Sequence, residues 1–163
     1  MRVADVMMRT PVWCTPETNL GTAAELLWSR DCGILPILDA QQRVVGVITD
    51  RDLCIALGTR NRLPGQVTVG EVASGKLYSC RPEDDIHAAL DTMAQHKVRR
   101  LPVVTKEGRL EGILSMDNVV LHAEAAETGR AGALSPRDIV STLRSIYGPQ
   151  LPQVVGTRMA AAR

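Results

Sequence analysis

Pro16 and Pro82, Pro36 and Pro102, and Gly46 and Gly112 each stand 66 residues apart, and the two stretches align at that offset without a gap. Val3, Val6, Cys14, Glu17, Ala23, Leu35 and Arg43 recur in the same way as Val69, Val72, Cys80, Glu83, Ala89, Leu101 and Arg109. A chain that repeats itself is expected to fold each copy alike and bury the matching faces together. Two copies are too few for a solenoid, so a closed pair is the natural arrangement. The 163 residues, 45% of them hydrophobic, suffice for one ordinary domain or two small ones sharing a core.

Apolar spacing defines the elements of each copy. Leu20, Ala23, Ala24 and Leu27, and their counterparts Ile86, Ala89, Leu90 and Met93, fall at i, i+3, i+4 and i+7, the stripe of an amphipathic helix. Each helix precedes a β-rich run (34–38 or 101–104), a polar turn (AQQR or KEGR) and a second β-rich run (44–48 or 110–114). A second helix follows, over about 50–57 in the first copy and 116–124 in the second. The reading is an α/β fold of two β-α-β-β-α repeats, at 1–58 and 67–125, with 59–66 as linker. Residues 126–163 form an extension. Within it Ser135 is an N-cap, Pro136 occupies the first helical position and Gly148-Pro149 is a stop, which predicts a helix over about 135–148 and a disordered end. The stripe of Ile139, Val140, Leu143, Ile146 and Tyr147 must bury against the protein's own body or a partner.

Composition narrows the function classes. A net charge of +1 argues against a nonspecific nucleic-acid binder. No run approaches the about 18 apolar residues of a membrane span, and the expectation is a soluble, cytoplasmic protein. Cys14, Cys32, Cys54 and Cys80 lie 18, 22 and 26 residues apart, neither a Cys-x-x-Cys site nor a secreted disulfide framework. Reduced, packed thiols are expected. The stretch GEVASGKL, Gly70 to Leu77, has the spacing of a phosphate-binding P-loop but carries Leu77 where Ser or Thr must hold magnesium, and the run LYSC after it reads as a strand. His87 and His122 read as solvated, and no catalytic constellation can be placed at defined spacing, so a non-enzyme is expected.

VADVM at the opening, the two Leu-Pro strands, and the closing motifs GVITDRDL (Gly46 to Leu53) and GILSMDNV (Gly112 to Val119) make the chain resemble the paired cystathionine-β-synthase (CBS) domains over about 3–123. The resemblance implies two repeats packed about a pseudo-twofold axis. It also implies two clefts that take adenosine ligands such as AMP, ADP, ATP or S-adenosylmethionine, with no cofactor required, and a homodimer.

The residues give this a physical basis. Thr49-Asp50-Arg51-Asp52 and Ser115-Met116-Asp117-Asn118 sit where a strand ends and a helix begins, where free N–H groups and the helix dipole favour phosphate. The same residues also read as simple N-caps. Arg99 and Arg100 precede the second Leu-Pro where the first copy has Gly33 and Ile34, so the clefts cannot be chemically equal. The resemblance places the residues just before Leu-Pro at the cleft mouth; since strand side chains alternate, Arg100 is assigned to the cleft of Ile113, Ser115 and Asn118 and Arg99 to the other, with a pair of solvated strand-edge charges as the alternative. Asp117 and Arg51 offset this asymmetry if they point inward. The resemblance places the adenine end at Met7, Thr10 and Val12 in one cleft and at Ala73, Lys76 and Tyr78 in the other. Rival readings are a ligand-free interaction module acting through its C-terminal helix on another protein, and a metal- or redox-responsive protein using Cys14 and Cys80, with His96 nearby.

Overall fold

A computed structural model describes residues 1–124 and 134–149 of the chain. The two predicted helices form α1 (Leu20–Ser29) and α4 (Ile86–His96). Asn19 caps α1 by accepting from the Thr22 amide at 2.9 Å, and Asp85 caps α4 through His87 N. Leu20, Ala23 and Leu27 of α1, and Ile86, Ala89, Leu90 and Met93 of α4, are buried, each large side chain contributing about 1.5–3 kcal/mol.

The hairpins are antiparallel: β2 (Leu35–Leu38) with β3 (Val44–Ile48), and β4 (Arg100–Val104) with β5 (Leu110–Ser115). Their turns use different residues for one task. The Asp39 carboxylate accepts from the amides of Gln41 and Arg43, and the Thr105 hydroxyl accepts from those of Glu107 and Arg109. Helix α2 (Asp50–Thr59) closes the first copy and α5 (Met116–Glu124) the second.

The opening strand is reduced. In the first copy β1 is only Met8–Arg9, and it pairs with β5 of the second copy. Gly112 permits this, because a Cβ there would lie 2.6 Å from the Met8 carbonyl oxygen and 2.9 Å from Met7 Sδ. The second copy opens with the short helix α3 (Val69–Val72). The strand expected at LYSC survives as a single bridge, Cys80 to Val103, matching Cys14 to Ile37.

The copies exchange their openings. Val3 N donates to Asp84 O and Ala4 N to Pro82 O, while Val69 N donates to Thr18 O and Gly70 N to Pro16 O, the same bonds with the copies interchanged. Val3, Val6 and Met7 therefore lie in the core of the second copy, and Val67 and Val69 in that of the first. Val44 N also donates to Gly108 O, joining the two turns about the pseudo-twofold axis.

Helix α6 (Pro136–Tyr147) begins at Ser135, whose hydroxyl donates to the Asp138 carboxylate at 2.6 Å and accepts from the Asp138 amide. It docks on α4 and α5 of its own chain, burying Ile139, Thr142 and Ile146. Val140 and Tyr147, expected in the buried stripe, are exposed. The expected disordered end lies outside the described residues.

Candidate functional site

A cleft of ≈ 380 Å³ opens between the copies, within the range of about 300–1,000 Å³ usual for small-ligand sites. It gathers Thr10, Val12, Gly33, Arg100, Ile113, Ser115 and Asn118, all predicted from the sequence. Strand β5 delivers Ile113 and Ser115, α5 begins one residue later, and β4 starts at Arg100, across the hairpin from Ser115.

Of the charged residues that line the cleft, Arg30, Asp31 and Asp117 are exposed, while Arg100 is half-buried. Its guanidinium reaches across the pseudo-twofold axis and lies over Gly33, where an added Cβ would meet its Nη1 at 3.1 Å and its Cζ at 3.2 Å. The missing side chain in the first copy is thus the space that the arginine of the second occupies. Arg100 Nη2 stands 3.8 Å from the Asp117 carboxylate, a long ion pair in which Asp117 is 81% exposed and Arg100 only 28%. Such an exposed partner holds an arginine weakly. An anion entering the cleft would compete for it with short, charge-assisted bonds.

The two strand-to-helix motifs are built alike. Ser115 Oγ donates to Asn118 Oδ1 at 2.7 Å, Ser115 N donates to the same oxygen at 3.1 Å, and Asn118 N donates back to Ser115 Oγ. Thr49 and Asp52 repeat the pattern, with Thr49 Oγ1 donating to Asp52 Oδ2 at 2.7 Å. The N-cap geometry is therefore present at both. The consequence differs. With its oxygen engaged, Asn118 offers its amide N–H groups, which suit an anion, whereas Asp52 retains a negatively charged acceptor, which suits hydroxyl groups.

The remaining predicted residues lie elsewhere. Met7 is buried in the second core, against Gly112, and its neighbour Met8 lines the cleft instead. Arg99 turns toward α6, donating from Nη1 to the Tyr147 hydroxyl at 3.1 Å. Tyr78 stacks on His96, ring centroids 3.8 Å apart and planes 9° from parallel. Of the second set, Ala73 packs against the first core and Tyr78 is taken up by His96. Pro11, between β1 and α1, and Arg30, Asp31 and Cys32, in the loop after α1, line the cleft unforeseen, because neither segment carries a motif.

Cys14 and Cys80 sit in separate cores, and burial pushes each thiol up to about 12. Neither is a thiolate near neutrality, the form that binds metal or attacks an oxidant. Among the described residues no group of three or more His, Cys, Asp or Glu is placed to hold a metal, and no helix is long and apolar enough to cross a membrane.

The family model for the CBS domain matches residues 3–59 and 69–124. Hypoxic response protein 1 of Mycobacterium tuberculosis is 34% identical over 123 residues, covering 75% of this chain and 85% of that protein. Among solved structures, a hypoxic response protein I with two coordinated zinc ions superposes with a TM-score of 0.69 at 30% identity, over 75% of this chain and 98% of the other. The CBS domain protein PAE2072 of Pyrobaculum aerophilum, complexed with AMP, gives a TM-score of 0.67 at 26% identity, over 73% of this chain and 90% of the other.

Proposed function

Because this chain belongs to the CBS-domain family, with two copies in tandem, we propose that it is a regulatory module, and not an enzyme, that binds an adenine nucleotide in the cleft of Arg100, Ser115 and Asn118. The observation that carries this reading is the position of Arg100, a guanidinium held over bare backbone at the mouth of a cleft beside an amide donor. The AMP complex of a structural neighbour supports the ligand class. Phosphate takes Arg100 and Asn118, while Met8, Val12 and Ile113 form an aliphatic bed for the base. The module works as a homodimer, and its four unpaired cysteines fit a reducing cytoplasm.

The zinc of the other neighbour does not transfer to Cys14 and Cys80, whose thiols are neutral and lie in different cores. Arg99 is engaged by Tyr147, which supports a single strong phosphate site.

A thermal-shift series with AMP, ATP, S-adenosylmethionine and adenosine tests the reading. A ligand at 100 times its Kd adds about 2.7 kcal/mol of stability, and each kcal/mol raises Tm by about 2–4 °C in a chain of this size. The nucleotides are expected to shift Tm more than adenosine does at equal concentration. No shift with any of the four would overturn the proposal.

A further inference from the structure

The internal repeat exposes a mismatch between the two halves. In the second copy the face of α4 and α5 is covered: Leu90, Met93, Met116 and Val119 share a core with Ile139 and Ile146 of α6. The edge of that seat is polar, with Lys97 Nζ donating to the Gly148 carbonyl at 3.1 Å and Arg99 bonded to Tyr147. The positions 66 residues earlier are Ala24, Leu27, Asp50, Leu53, Asp31 and Gly33. These line an open groove of ≈ 450 Å³ between α1 and α2, with Trp28, 88% exposed, on its wall. One seat holds a helix, and none of the described residues covers its counterpart.

The open seat has a different charge. Asp31 stands where the covered seat has Lys97, and Asp50 where it has Met116. Both are exposed, and neither has an ion-pair partner among the described residues. Arg100 also lines the groove but is drawn toward Asp117, so the two carboxylates leave the seat net acidic, and a helix with cations beside an apolar residue suits it. The outward face of α6 has that pattern, with Val140 between Arg137 and Arg144, flanked by Ser141 and Ser145. All three are exposed, and neither arginine has an ion-pair partner among the described residues. Seven helical residues place the two cations about 10 Å apart along the axis.

The chain cannot make this contact within itself, because the inner face of α6 is already docked and its basic face points away from its own body. The groove and the α6 seat nevertheless adjoin, since Arg100 lines both the groove and the crevice beside Tyr147. A twofold axis between two copies therefore satisfies both surfaces at once. We propose that a second copy of this chain docks reciprocally, the Arg137-Val140-Arg144 face of α6 from each copy seating in the Asp31-Trp28-Asp50 groove of the other. The inference rests on the dimeric reading above and specifies its surfaces.

Charge reversal tests it, read by light scattering on full-length protein across a dilution series. The wild type is expected to be a dimer. Arg137→Glu/Arg144→Glu and Asp31→Lys/Asp50→Lys should each raise the dimer Kd by at least about tenfold. Lysine at position 31 is compatible with the local backbone, since Asp31 (φ 46) and its counterpart Lys97 (φ 55) share the left-handed conformation. An equimolar mixture of the two variants should restore the dimer, because each acidic α6 then meets a basic groove and each basic α6 an acidic one. That rescue also shows both variants to be folded. A monomeric wild type overturns the dimeric reading itself. A dimer indifferent to both substitutions overturns only the surfaces proposed here, and one lost instead on deleting residues 150–163 reassigns the groove to the tail.

Discussion

At the scale of single residues, the cleft is governed by what Arg100 touches. Asp117 holds the guanidinium from one side at 3.8 Å, and the bare Cα of Gly33 lies beneath it. Both contacts can be altered without touching the cores. Asp117→Asn removes a competing carboxylate and is expected to tighten AMP binding by a few-fold, in keeping with the about 0–1 kcal/mol of an exposed ion pair. Gly33→Ala forces the guanidinium aside by a few tenths of an ångström and should weaken AMP several-fold while leaving the melting temperature nearly unchanged. Calorimetry on the two variants checks the pair, and equal affinities would disprove the role given to these contacts. That Arg100, Ser115 and Asn118 share a cleft was expected from the resemblance and from the strand-to-helix motif, and the three do line one cleft. Asp31 and Cys32 were not expected there, since a loop after a helix carries no periodicity to mark which side chains face a cleft.

At the scale of elements, the sequence identified both long helices, both hairpins and α6, because each has a strong stripe, a cap or a turn residue. The opening strands were overestimated, since β propensity says nothing of how many neighbours a segment will find. The exchange of Val3 and Val6 for Val69 and Val72 was also hidden: a perfect repeat fits either partner equally well. Helix α6 illustrates a competition that propensity cannot settle, for its stripe fits its own body as well as another chain. Its start depends on Asp138, held below the usual carboxylate range chiefly by the Ser135 hydroxyl and then by the Ser135 amide, with His87 at 3.6 Å. A carboxyl group lowered by folding stabilises above its unfolded pKa, and the contribution is lost as pH falls through the folded value. Amide-exchange protection of α6, corrected for intrinsic rates, is therefore expected to decline below about pH 4 before that of α1. Ser135→Ala should lower it already at neutral pH, by about 0.5–2 kcal/mol. Protection that holds equally in both helices down the titration would contradict the assignment.

At the scale of the whole molecule, Arg100 lines the cleft proposed for the nucleotide, the α1–α2 groove and the crevice beside Tyr147. On the proposed function, a ligand that recruits this guanidinium would act at the edge of the groove, one residue from Arg99, which donates to Tyr147 of α6. Occupancy of the cleft and the surfaces proposed for assembly would then share one side chain, Arg100, and meet at the residue before it. That connection depends on phosphate reaching Arg100. Titration calorimetry of wild type and Arg100→Ala with AMP and with adenosine measures it directly. Loss of a charge-assisted hydrogen bond of about 1.5–3 kcal/mol predicts that Arg100→Ala binds AMP roughly tenfold to a hundredfold more weakly while its affinity for adenosine changes little. An Arg100→Ala protein that keeps the wild-type preference for AMP over adenosine would show that the phosphate does not bind where this account places it.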